Sequence, residues 1–269
     1  FGNIHLHLDL IAGLPFEGYE SFGRSFDRVY RMGPEQLQLG FLKVLKGSYM
    51  YENRDSYGLV YGSEPPYEVL KTRWLSYEEL CRLKQIEKVL EIYYNSGQFL
   101  HTMERLCGFY DSPFALYEEL ASYFDRRGLF ARQLGRQERF DILWEFIRSR
   151  EELPDISSFY GVAWRELLVY DYYLRENAKT RPSFAPAQEP WRPSITRWYA
   201  RYGAACERLA AYEGCSYRQL LHMTHAEVFS RGFSQNGQKV LILFDYRARN
   251  PLTNNAAAWE AEGWTNDDE

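Results

Sequence analysis

The chain has 269 residues, 45% of them hydrophobic, and a formal charge of −5 at pH 7. That length suits one large domain or two modest ones, and the acidic balance argues against a dominant nucleic-acid or anionic-membrane partner. No run of about 18 apolar residues offers a membrane span, and the four cysteines, Cys81, Cys107, Cys206 and Cys215, contain no C-x-x-C, which predicts reduced thiols in a cytoplasmic protein. Aromatic residues reach 17%, with 22 Tyr, a content that suits thick helix packing or a ligand chamber. No signal peptide is visible. The chain opens at Phe1 without a Met, inside the approach to a strand.

In chain order, Ile4, Leu6, Leu8, Leu10 and Ala12 fall on one face of a first strand, and His5, His7, Asp9 and Ile11 on the other. Gly13-Leu14-Pro15 ends it, since Pro15 cannot donate to a ladder and Gly13 allows an unusual turn. "YESFGRSFDRVYRM" carries Phe22, Phe26, Val29 and Tyr30 at helical spacing, closed by Gly33-Pro34. "EQLQLGFLKVL" is a second strand, with Leu37, Leu39 and Phe41 opposite Gln36, Gln38 and Gly40. Two strands joined by such a helix make a right-handed parallel βαβ unit. With the aliphatic faces against helices, His5, His7, Asp9, Gln36 and Gln38 would line a polar chamber holding water, cofactor or substrate. A purely structural network of the same side chains is the other reading.

After Val44 comes a Tyr- and Gly-rich connection, with a short strand expected at 67–74. Ser76 and Glu79 form a capping box for a helix to about Tyr94, stopped by Asn95 and Gly97. Helical periodicity follows at 98–108, 113–127, 136–149 and 158–178. The four prolines 182, 186, 190 and 193 mark the best internal linker, 180–193. Helices are expected at 194–212 and 216–230, then "KVLILFDY" as a late strand, and 249–269 as an acidic, poorly packed tail. The organisation is thus 1–50, a connection over 51–75, a mostly α-helical domain over 76–248, and the tail.

Several constellations point to chemistry. H-x-H on a strand is a metal-binding pattern of hydrolases, but completing it falls to His101, His222 and His225, all in helical sequence. Arg126, Arg127, Arg132, Arg136 and Arg139 would suit phosphate or RNA, or simply a solvated helix face. Tyr170, Tyr172 and Tyr173 would line a tunnel or pack between helices; Lys43 and Lys46 would meet a carboxylate or stay in solvent; Cys206 and Cys215 read as buried thiols.

"DLIAGLPFE" resembles the fifth-strand segment of radical SAM (S-adenosylmethionine) enzymes, D-L-I-x-G-L-P-G-E-T, matching at Asp9, Leu14, Pro15 and Glu17 and departing at Phe16 and Gly18. The resemblance makes Ile11 the neighbour of the S-adenosylmethionine adenine and Gly13 the turn residue beside it. "GLPFEGYESFGRSFDRVYRMGPEQLQLGFLKVLKGSYM" resembles the last two strands of the radical SAM barrel, a partial TIM barrel, in a bacterial group with an N-terminal cobalamin-binding domain. The remainder, including "LFDYRARNPLTNNA", resembles that group's uncharacterised C-terminal domain. The implied fold is an α/β remnant, a βαβ unit from the end of that barrel, followed by a mostly α-helical domain. Leu42, Lys43 and Val44 would contact the adenine from the sixth strand.

The family's 4Fe–4S cluster needs C-x-x-x-C-x-x-C, which none of the four cysteines satisfies. The expectation is a C-terminal fragment, inactive alone, whose partner is the upstream part of the same polypeptide carrying the cluster and the cobalamin domain. The whole would perform radical or methyl-transfer chemistry on an unknown substrate, with no membrane and no nucleic acid expected. A helical module that binds RNA or a protein is the alternative.

Overall fold

Strict alternation in "HLDLIA" and "QLQLGF" allows two half-buried strands to pair with their aliphatic faces together. In the computed structural model, which describes residues 4–150, 164–203, 206–230, 233 and 238–265, β1 (His7–Ala12) and β2 (Gln36–Phe41) are parallel neighbours joined by α1 (Tyr19–Tyr30). The register sets His7 against Gln36, Asp9 against Gln38 and Ile11 against Gly40, with Leu8 against Leu37 and Leu10 against Leu39 on the other face. Leu37 and Leu39 are buried, whereas His7, Asp9 and Gln38 are exposed.

The connection folds into α2 (Tyr49–Glu52) and an antiparallel pair, β3 (Val60–Tyr61) with β4 (Val69–Lys71); the expected strand at 67–74 is this shorter β4. Helix α3 (Tyr77–Leu90) starts at the Ser76–Glu79 capping box and runs into a π-helical turn, Glu91–Asn95. Next come α4 (Leu100–Cys107) and α5 (Pro113–Arg126), the latter N-capped by Ser112. Gly23 of α1 lies so close to Phe114 of α5 that a Cβ there would sit 2.8 Å from the ring. Phe114 also packs edge-on against Phe22 and Phe26, and its N–H donates to Asp27 at 2.8 Å. These elements form the first of two compact units, residues 1–97 with 103–134.

The second unit, 98–102 with 135–269, contains α6 (Arg136–Arg148), α7 (Trp164–Arg175), α8 (Arg192–Tyr202) and α9 (Tyr217–Met223). The expected helix at 158–178 is α7; its first six positions lie outside the described residues. The expected helix at 194–212 is shorter, since 207–212 is 3-10 helix. Two expectations are corrected here. The second half of 216–230 is not helix but β5 (Thr224–Phe229), and the segment expected as a poorly packed tail supplies β7 (Ala256–Glu260). Both flank β6 (Val240–Arg249) in an antiparallel sheet ordered β5-β6-β7. The reason lies in β6, whose apolar run from Val240 to Phe244 is fully buried. A strand buried on both faces needs partners along both edges, and that tertiary demand overrides the local helical pattern of "THAEVF". Leu241 and Leu243 face Ile195, Trp198 and Tyr199 of α8 and Leu220 of α9. Phe244 meets Tyr170 and Tyr173 of α7. The molecule is therefore mixed α/β: the βαβ unit is present, and the helices that follow it carry small antiparallel sheets in both units.

Candidate functional site

The C-terminal end of β1 runs into a turn at Gly13. Gly13 has φ +92, and a Cβ on it would stand 2.7 Å from Val69 Cγ1. Both positive φ and close approach therefore require glycine. The glycine's restriction comes from β4 packing beneath the turn rather than from the open face above it. Phe16, three residues on, has φ +68, a conformation bulky side chains rarely adopt. Its ring is 76% exposed and leans on Trp74 at 4.7 Å and Tyr57 at 5.9 Å.

The polar face of the β1–β2 pair carries His7, Asp9, Ile11, Gln36, Gln38 and Gly40. His7 Nε2 reaches Asp9 Oδ1 at 3.0 Å. Ile11 is an apolar side chain 46% exposed on this face. His5 is exposed just before the strand and Gln36 is half-buried. Glu35 accepts the Leu6 N–H at 2.6 Å, and that bond holds its carboxyl below the ordinary range. Leu42 and Val44 are buried side chains, their N–H groups bonded to Ala12 O and Tyr67 O, while Lys43 is exposed and its backbone bridges to Glu68. Lys46 lies exposed in the following loop.

The remaining signals sort differently. Among the described residues no group of three or more His, Cys, Asp and Glu side chains is placed to hold a metal ion. The arginine run is dispersed: Arg126 bonds Ser122, Arg127 stacks on Tyr123, and Arg136 is drawn inward, bonding Gln98, Tyr172 O and Glu176. The thiols are free and half-buried; Cys107 donates to Tyr30 Oη, and burial raises its pKa. No helix among the described residues is long and apolar enough to cross a membrane.

Two buried polar constellations appear that sequence reasoning missed. Asp171, 1% exposed, accepts from the His101 and Thr102 N–H groups, from Thr102 Oγ1 at 2.7 Å, and lies 2.8 Å from His101 Nδ1. It caps the start of α4 with a carboxylate. On the α7 side of the sheet, Arg181 grips Glu227 with two bonds of 2.6 and 2.8 Å, and also bonds Pro186 O and Gln188. His225 Nε2 adds a contact to Glu227 at 3.1 Å, and its ring stacks on Tyr173 at 3.5 Å and 13°. Burial alone would raise the Glu227 pKa; the Arg181 and His225 bonds outweigh it and leave the carboxyl below its ordinary value. Tyr173 is pushed up to about 12, first by burial and then by Glu227. The tyrosines 170, 172 and 173 thus pack among helices and sheet, and Arg181, read in sequence as part of a linker, is a clamp. Its partner is 46 residues away, a separation that leaves no periodic signal.

A family model described as "Protein of unknown function (DUF4080)" matches residues 55–244, well over half of the chain. No curated protein matches it.

Proposed function

The chain belongs to the family of proteins of unknown function called DUF4080, and from that premise we propose that it is the C-terminal portion of a radical SAM enzyme. In this reading the β1-α1-β2 unit closes the barrel and the residues beyond it form an accessory domain. The observation that carries the reading is the parallel β1–β2 register together with the Asp9-Leu10-Ile11-Ala12-Gly13-Leu14-Pro15 turn. That turn sits at the C-terminal end of a parallel strand, where α/β sites gather. The family match begins at residue 55, after the βαβ unit ends, and the βαβ unit packs with the matched residues up to 134 in one compact unit.

The residues present suit only part of the implied chemistry. Ile11 offers an exposed apolar surface for an adenine ring, beside a turn that Gly13 alone accommodates. Leu42 and Val44 turn their side chains into the core, so any contribution from 42–44 would come from the backbone and from Lys43. His5, His7, Asp9, Gln36 and Gln38 would face the substrate as hydrogen-bonding groups, with Asp9 orienting His7. The cysteines do not fit an iron–sulfur cluster: 81, 107, 206 and 215 lack the spacing, and among the described residues no cluster of ligands forms. The cluster ligands and the cobalamin domain would come from sequence outside these 269 residues. The role assigned to this chain is to hold the nucleoside and to present polar groups to the substrate.

The test is the reading frame upstream of Phe1 and the polypeptide it encodes. Finding C-x-x-x-C-x-x-C there, and S-adenosylmethionine binding by the anaerobically reconstituted full-length protein, is the expected result. A frame without the motif overturns the reading.

A further inference from the structure

The β1–β2 sheet is open on one side only. Along the outer side of β2, Asn95 bonds the backbone of Leu37. Just past the strand, Val69 N–H donates to Leu42 O at 2.8 Å and Val44 N–H to Tyr67 O at 2.9 Å. The outer side of β1 carries no strand among the described residues. Gln36 N–H donates to Leu6 O and Leu42 N–H to Ala12 O. By the two-residue period of a parallel ladder, Leu8 and Leu10 therefore also turn their backbone groups toward β2. His7, Asp9 and Ile11 point theirs the other way, into the open. β1 also lacks the usual guards of an edge strand: "HLDLIA" has no Lys, no Pro and no bulge.

The apolar face of the sheet is unfinished along the same edge. Leu37 and Leu39 of β2 are 0% and 4% exposed, whereas Leu8 and Leu10 of β1 are only half-buried. Leu6 and Ile4, on the same face, are 41% and 58% exposed. Parallel strands are ordinarily covered on both faces, and a two-stranded sheet is marginal by itself. We propose that the free edge of β1 takes one further parallel strand, whose connecting helix lies beside α1 and covers Ile4 and Leu6. A right-handed crossover from such a strand into β1 places its helix on the α1 side of the sheet. One strand–helix unit thus closes both the backbone edge and the bare face. A second copy of this chain would close only the first, because two identical edges related by a twofold axis pair antiparallel and add no connecting helix. The partner strand alternates in the same sense as β1, apolar beside Leu8 and Leu10 and polar beside His7 and Asp9. Identifying it as the strand that precedes β1 in a longer polypeptide rests on the radical SAM reading; the open edge itself does not.

Site-resolved hydrogen exchange tests this on the 269-residue chain and on the full polypeptide encoded by the frame that contains it. In the 269-residue chain the amides of Leu8 and Leu10 should be protected, and those of His7, Asp9 and Ile11 should exchange nearly freely. In the full polypeptide the latter three should slow roughly tenfold or more. Asp9→Pro removes an outward-facing donor, which an edge strand tolerates. It should lower the thermal midpoint of the full polypeptide more than that of the shorter chain; an equal drop in both overturns the proposal. Free exchange of the three amides in the full polypeptide overturns it even where C-x-x-x-C-x-x-C is found upstream. Their protection in a polypeptide without that motif sustains the docking edge and removes the radical SAM reading alone. Protection that rises with concentration in the shorter chain, together with a dimer in sedimentation, gives the edge to a second copy and overturns the proposal.

Discussion

The carboxamide of Asn95 bonds both backbone groups of Leu37: Oδ1 accepts its N–H at 3.0 Å and Nδ2 donates to its carbonyl at 2.9 Å. A side chain at the end of the π turn thus does for β2 what a further strand would do. The sequence offered Asn95 as a helix stop, and the helical run does end there, with the π turn also aiming its side chain sideways at the sheet. Leu37 is fully buried, so its backbone groups have no water to fall back on. Asn95→Ala should cost about 1–3 kcal/mol, measured by urea unfolding. A midpoint equal to wild type would mean that the pairing is dispensable.

Ile11 and Gly13 should separate binding from folding. Ile11→Ala removes an exposed side chain, so stability should change by less than about 0.5 kcal/mol. In the full-length protein, S-adenosylmethionine affinity should fall by roughly 1–3 kcal/mol if Ile11 is buried against the adenine. Gly13→Val should fail at the folding step, losing more than about 2 kcal/mol, because its Cβ meets Val69. Calorimetric affinity and thermal melts on both variants check this, with cluster content followed spectroscopically. An unchanged affinity in Ile11→Ala would place the adenine elsewhere.

The acid limb of stability should report Glu227. Its folded pKa lies below the ordinary value, about 4.3 in unfolded chains. A lowered folded pKa means the contribution is fully present above the unfolded value and disappears as pH falls through the folded one. Glu227→Gln should therefore be less stable than wild type at neutral pH, and the two curves should converge as pH falls below the unfolded value and through the folded one. Parallel curves in denaturant titrations across that range would show that Glu227 is not the group responsible.

Arg181→Met leaves the Glu227 carboxylate, 4% exposed, without its principal counter-charge. The loss should be about 3 kcal/mol, greater than for Arg126→Met, whose bond to Ser122 is exposed. Equal effects on the thermal midpoint of the two variants would demote the clamp to an ordinary surface contact.

What the sequence could reveal followed the range of each interaction. The period-two pattern of His7, Leu8, Asp9 and Leu10 is local, and it read directly as a strand with a polar face. The Ser76–Glu79 box is equally local and opened α3 as expected. β5 was missed because "THAEVF" continues the helical run of α9 until β6 claims it. β7 was missed because Ala256, Ala257 and Ala258 have no strand preference of their own. The candidate site on β1 was legible in its residue types. The burial of Leu42 and Val44 was not, since it depends on Val69 and Tyr67 arriving from β4 and its approach.

The Arg181 clamp changes where the second unit can be cut. Four prolines between 182 and 193 look like a natural place to end one recombinant piece and begin another. A truncation at that point would leave Glu227 and His225 in one polypeptide and both Arg181 and Tyr173 in another, so the carboxylate would lose its guanidinium and His225 the ring it stacks on. Separately expressed halves should be insoluble or should require co-expression, whereas a chain left uncut between Arg181 and Glu227 keeps both partners of the clamp in one molecule.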